Sequence, residues 1–293
     1  MPPYDVIQSD ADLAVLLGRL RGTGCARLAL DMEGENNLHR YGIHVCLIQG
    51  FDGKRAFVVD ALSIRDPGLF RALLQDSPWL KIMFDTTSDL LAFQHGLGVR
   101  PAPIVDLAVA AQLLGRTGGL GEVAGLEGSK RSKDRFQRAN WMRRPIPRDM
   151  LDYAVSDVLP LLDLADALMA ELGRKDLVLE FMRRNWERQS RQLAWNPLGN
   201  FGRIPGYTRM SAAGKRMART LWYAREYYAR RLDVPPENVA SKLQLKRIVD
   251  EGVRDPERIA QMLNEGRKRA LVDPRDFAQT MAEAERDAGA AGD

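Results

Sequence analysis

The sequence predicts an α/β domain on a mixed sheet, followed by a small all-helical domain. Three observations carry this. Short apolar runs alternate with stretches of helical spacing in the first half of the 293 residues. The first three strand-like runs are joined by short connections, which make neighbouring strands antiparallel. From Asp149 onward the chain reads as helix.

Taken in order, "DADLAVLLGRLRG" has helical spacing and closes on Gly22. "RLALDMEG", "HVCLIQGF" and "RAFVVDA" read as strands, and "DPGLFRALLQD" as a helix. "WLKIMFD" is a further strand. It runs at once into "TTSDLLAFQHGLG", an amphipathic helix with Thr87 or Ser88 as its cap and Gly96 or Gly98 as its stop. The first domain is expected over residues 1–190. "WNPLGNFGRIPGY" interrupts the helical pattern with two prolines and three glycines, so residues 191–206 are expected to be a linker. Short helices follow over 207–275, with Pro235 and Pro236 in a connection. Residues 276–293, ending "AEAERDAGAAGD", lack an evident buried face and are expected to form a flexible tail.

Hydrophobic residues make up 45% and charged residues 28%, an ordinary soluble composition. No apolar run nears the ~18 to 20 residues of a membrane span, and the acidic start does not resemble a signal sequence, so a cytoplasmic protein without membrane contact is expected. Cys25 and Cys46 do not form a CxxC pair, which fits a reducing compartment and supports neither a disulfide framework nor a cysteine zinc site. Net charge is +4, with the basic residues concentrated in "SKRSKDRFQRANWMRRPIPR" and "FMRRNWERQSRQLAW". These segments are either solvated helix faces or a surface for phosphates, with Phe136, Trp141, Trp186 and Trp195 as rings for stacking. On the second reading the candidate nucleic-acid contacts are Lys130, Arg131, Arg135, Gln137, Arg138, Trp141, Arg143 and Arg144.

Three groups of acids stand out. In an extended strand, Asp31 and Glu33 point to one face roughly 6 to 7 Å apart, where like charges repel unless a cation lies between them. Asp89 opens the helix after "KIMFD". Tyr153 and Asp157, four residues apart in "LDYAVSDVLP", share a helical face. Singly, each has an ordinary explanation: a solvated pair, a helix-dipole acid, a half-buried tyrosine beside an exposed acid.

In this order, an Asp-x-Glu closing an early strand, an Asp opening a middle helix and a Tyr-x-x-x-Asp on a later helix resemble the tyrosine-bearing DEDD exonucleases, the ribonuclease D type. "HRYGIHVCLIQ", "LGVRPAPIVDLAVAAQLLG" and "FQRANWMRRPIPRDMLDYAVSDVLPLL" follow that family's pattern across roughly the first two thirds of the chain. The resemblance implies a ribonuclease H-like mixed sheet flanked by helices. It also implies two divalent ions, Mg²⁺ or Mn²⁺, held by Asp31, Glu33, Asp89 and Asp157: the first two with Asp157 at the water-activating ion, Asp31 bridging, and Asp89 supporting the second. Tyr153 would orient the attacking water. All-oxygen donors suit these hard cations, and two such ions stabilise both ends of a phosphodiester displacement. Two residues depart from close relatives: Phe84 stands where a His is frequent, and Leu107 follows Asp106 in place of Thr. Pro160 is expected within the helix beyond Asp157, clashing with the Ser156 carbonyl and kinking it. His39 and His44 read as surface or core residues rather than ligands.

"LWYAREYYAR", "DVPPENVAS" and "LQLKRIV" resemble a divergent HRDC module. Its Trp222, Tyr223, Tyr227 and Tyr228 read as a packing stripe or a stacking platform, and Arg225, Arg230, Arg231 and Lys242 as phosphate contacts. The sequence is thus expected to encode a metal-dependent 3′-5′ exoribonuclease acting on single-stranded RNA 3′ ends and releasing nucleoside 5′-monophosphates. A degenerate RNA-binding scaffold and a DNA exonuclease are the alternatives, and no protein partner is implied.

Overall fold

The computed structural model describes residues 2–126 and 135–290. The chain divides into two compact units, residues 1–35 with 43–194 and residues 36–42 with 195–293.

The first unit is a six-stranded mixed sheet in the order β1-β4-β3-β2-β5-β6: β1 Tyr4–Ile7, β2 Arg27–Asn36, β3 Ile43–Phe51, β4 Ala56–Asp60, β5 Leu80–Met83 and β6 Ile104–Asp106. β3 and β4 pair antiparallel as expected, while β1 on β4, β5 on β2 and β6 on β5 are parallel. The short strands β1 and β6 were not evident in the sequence. Helices cover both faces, so the central strands are apolar on both sides. In β2, Leu28 and Leu30 enter one core while Ala29 enters another across the sheet. Asp31 and Glu33 continue the parity of Ala29 and so face the Ala29 side.

Helix α1, Asp10–Gly22, occupies the expected span: Ser9 accepts from the Asp12 N–H at its start, and Leu13, Leu16, Leu17 and Leu20 are buried. Helix α2, Pro67–Phe70, and helix α3, Thr87–Ala92, each continue into a π turn, over Arg71–Gln75 and Phe93–Leu97, the latter ending on left-handed Gly98. The expected cap of α3 is corrected. Thr86, not Thr87 or Ser88, is the cap residue, and its side chain does not cap the helix. Helices α4, Leu107–Leu113, and α5, Leu120–Val123, follow. Helix α6 spans Arg148–Val158, α7 Leu161–Arg174 and α8 Val178–Ser190. Pro160 does not lie inside a kinked helix: α6 ends before it and Pro160 is the cap residue of α7. A proline has no N–H to offer the previous turn, so the chain restarts there.

The second unit is helical: α9 Ala212–Leu232, α10 Pro236–Val239, α11 Lys242–Asp250, α12 Pro256–Asn264 and α13 Pro274–Ala290. Two sequence expectations fail here. The second half of the expected linker packs into this core, with a 3-10 turn at Leu198–Arg203 and with Ile204 buried. The expected tail is α13, which buries Phe277, Met281, Ala284 and Ala288 on one face. Trp222, Tyr223 and Tyr228 are buried and form a packing stripe. Arg225 is buried over the Trp222 ring and paired with Glu226, so it is not a surface phosphate contact.

Candidate active site

β2 leaves the core at Leu30 and delivers Asp31 and Glu33, both half-buried. Gly34 is required immediately afterwards: a Cβ there would stand 2.8 Å from the His44 carbonyl oxygen. Helix α6 supplies Asp157, one turn beyond Tyr153. Carboxylate oxygens of Asp31, Glu33 and Asp157 lie within 4.8 Å of one another. The fourth acid, Asp89, sits in the first turn of α3, close enough to Asp31 and Glu33 to be felt electrostatically.

Asp31 has two hydrogen-bond partners and strong desolvation. Gln49, on β3, donates from Nε2 to Asp31 Oδ2 at 2.8 Å, and the Met32 backbone also hydrogen-bonds Asp31. Burial, reinforced by Asp157, nevertheless pushes the Asp31 carboxyl up to about 7. Burial, then Asp31, Asp157 and Asp89, holds Glu33 well above the usual carboxylate range. Burial and the charge of Asp31 do the same to Asp89, with Asp106 and Asp85 adding to it. Burial and the nearby Asp157 and Glu33 raise the Tyr153 phenol, so it stays protonated and hydrogen-bonded with Asp157. Its ring stacks on Phe136, with centroids 4.7 Å apart and planes at 24°.

A cavity of about 200 Å³ is lined by Asp31, Tyr153 and Asp157 together with Phe84, Leu120 and Gln137. Phe84 therefore borders the site, whereas Leu107 is fully buried core. A larger cavity of about 360 Å³ in the helical unit is lined by Arg216, Arg219 and Arg254 with one acid, Glu285, and has no comparable donor set.

The donor set suits divalent cations. Converging carboxylates, two of which, Asp31 and Glu33, have their pKa raised by burial and by the charge of neighbouring acids, are what a hard cation would relieve, and an all-oxygen set suits Mg²⁺ or Mn²⁺ better than a thiophilic metal.

The basic segment divides differently from the sequence expectation. Lys130 and Arg131 lie outside the described residues. Trp141 is 2% exposed and donates its indole N–H to the Phe136 carbonyl, so it is core rather than a stacking platform. Arg144 grips the buried Asp60 through Nε at 2.7 Å and also donates to the Trp141 carbonyl, a structural ion pair rather than a phosphate contact. Arg135 pairs with Asp149 at 2.7 Å and lies over the Phe136 ring. Arg138 and Arg143 are exposed, and Gln137 borders the cavity. Trp186 is exposed, while Phe136 is buried against Tyr153.

Sequence reasoning missed two features. Gln49 reads as an anomaly only in hindsight, a polar residue inside the apolar run "VCLIQGF". Asp106, fully buried at the end of β6, accepts hydrogen bonds from the Asp85, Thr86 and Ala108 N–H groups. Its only sequence signal is an acid closing a strand directly before a helix.

The sequence model of the 3′-5′ exonuclease family matches residues 4–173. Ribonuclease D of Shewanella sp. is 31% identical over 176 residues, 59% of this chain and 44% of that protein. Ribonuclease D of Escherichia coli is 31% identical over 170 residues, 57% of this chain and 44% of that protein. The chain thus spans less than half the length of these curated relatives. In structure, E. coli RNase D superposes with a TM-score of 0.76 at 23% identity, covering 98% of this chain and 75% of that one. The catalytic core of RRP6 from Trypanosoma brucei gives 0.79 at 20% identity, covering 99% and 80%; at these identities the likeness speaks to fold. With the family match extending over more than half of the sequence and the acids gathered on the expected face, the chain belongs to the 3′-5′ exonuclease family and is similar within it to ribonuclease D.

Proposed function

We propose that this protein is a metal-dependent 3′-5′ exoribonuclease that shortens single-stranded RNA and releases nucleoside 5′-monophosphates. The observation that carries the proposal is the convergence of Asp31, Glu33 and Asp157 within 4.8 Å beside a protonated Tyr153. The similarity to ribonucleases D supports RNA as substrate.

On this reading Asp31, Glu33 and Asp157, with Asp89 beside them, would hold the divalent cations. When bound, such ions would supply a lowered pKa for water and stabilisation of charge on the attacking and leaving oxygens. The protein contributes placement. β2 and α6 fix three carboxylates from rigid elements, and Gln49 restrains the Asp31 rotamer through its amide. Tyr153, its ring fixed by Phe136, offers a hydroxyl beside Asp157 that orients the attacking water. Phe84, Leu120 and Gln137 line the same cavity and offer a surface for the terminal nucleotide. The helical unit, as an HRDC-like module, adds contacts to phosphates through exposed Arg230 and the half-buried Lys242.

The test is a 5′-labelled single-stranded RNA incubated with Mg²⁺, Mn²⁺ or EDTA, beside Asp31→Asn and a matched DNA. A ladder shortening from the 3′ end, dependent on metal and absent from the variant, supports the proposal. RNA bound but left intact with both metals refutes it, and equal shortening of DNA removes the preference for RNA.

A further inference from the structure

Asp89 comes from a helix that its own cap does not fix. Thr86 precedes α3, but its side chain turns away from the helix, and its hydroxyl donates to Asp106 Oδ2 at 2.9 Å. The Thr86 N–H goes to the same oxygen at 3.0 Å, and the Asp85 N–H to Oδ1 at 2.9 Å. Asp85 itself has φ +55°, a left-handed turn that aspartate tolerates better than most residues with a side chain. The start of α3 is therefore set by the Asp106 carboxylate, and the first turn of α3 sets Asp89.

A fully buried Asp106 needs a counter-charge of its own. It comes from α8, distant in sequence: Arg188 Nη1 lies 2.9 Å from Asp106 Oδ2 and 3.1 Å from Asp85 Oδ1. The same helix holds the adjoining backbone. Asn185 accepts from the Asp106 N–H at 3.0 Å and donates to the Ile104 carbonyl at 2.9 Å, which Gln189 also reaches at 2.8 Å. All three residues lie beyond residue 173, where the family match ends.

We infer that Arg188 is a positioning residue for Asp89, acting through Asp106 and the Asp85 turn, so that α8 completes the divalent-cation site built by the family domain. The inference rests on the proposed metal site. Loss of Arg188 would leave Asp106 without a counter-charge close to Asp89 and loosen the turn on which α3 starts.

The test compares wild type with Arg188→Met, Arg188→Gln and Arg188→Lys by Mn²⁺ calorimetry without RNA, hydrogen exchange of the metal-free protein and RNA turnover. Arg188→Met is expected to weaken Mn²⁺ binding about tenfold and lower kcat about tenfold, with KM for RNA within about twofold. Arg188→Gln keeps a donor for Asp106 and is the safer variant for folding; about threefold weaker Mn²⁺ binding is expected, with Arg188→Lys near wild type. The Asp85 and Thr86 amides should exchange faster in Arg188→Met while those of residues 28–33 do not. Wild-type Mn²⁺ affinity in both neutral variants would overturn the inference, whatever their melting temperatures. A wild type that binds Mn²⁺ but leaves RNA intact would sink the exonuclease reading alone, because the calorimetric and exchange effects of Arg188 would still be measured.

Discussion

Two buried or half-buried aspartates on one sheet, Asp31 and Asp106, are treated in opposite ways. Asp106, fully buried, receives three backbone N–H groups, the Thr86 hydroxyl and an arginine. Asp31, less buried, has Gln49 and a backbone contact, while Glu33 and Asp157 face it. Desolvation alone does not separate a structural carboxylate from a chemical one. The supply of donors does. At Asp106 the fold provides them; at Asp31 it withholds them and adds like charge, leaving a cation to complete the balance.

Replacing the two acids should have different consequences. Asp31→Asn is expected to lower RNA turnover by about 10³-fold or more while preserving the fold, read by single-turnover kinetics and circular dichroism. Asp106→Ala strands buried donors and Arg188, and should cost roughly 3 kcal/mol in denaturant unfolding in EDTA. Tyr153→Phe removes the hydroxyl beside Asp157 but keeps the ring on Phe136. It should lower kcat about 10- to 100-fold with RNA affinity unchanged, measured by turnover and by binding in EDTA.

The smallest effect sharpens the contrast most. Asp31 holds its proton more tightly folded than unfolded, so ionising it disfavours the fold. The metal-free protein should therefore be more stable at pH 5.5 and lose roughly 1 to 2 kcal/mol as pH rises through about 7, a trend that Mn²⁺ flattens. Denaturant midpoints across that range check it.

The sequence made the central strands and the acids legible because both rest on local spacing: period two in β2 places Asp31 with Glu33, and a helical turn places Tyr153 with Asp157. What it concealed was context. β1 and β6 have four and three residues, too few for a period to show. The face of α13 is partly alanine, at Ala284 and Ala288, which carries little apolar contrast and so reads as a tail. Trp141 and Arg144 sit in a basic run that resembles a nucleic-acid surface, yet Trp141 is core and Arg144 serves Asp60. Charge and ring content are visible in sequence; the partner that neutralises or buries them is not. Arg188 and Asp106 are 82 positions apart, and no spacing rule joins them.

The most direct measurement is the melting temperature of wild type and Asp31→Asn at pH 8, each in EDTA and in Mn²⁺. If the acid face is built for a cation, the variant melts higher than wild type in EDTA, and Mn²⁺ raises wild type far more than the variant. Equal melting of the two proteins in EDTA, with the same response to Mn²⁺, would contradict the account.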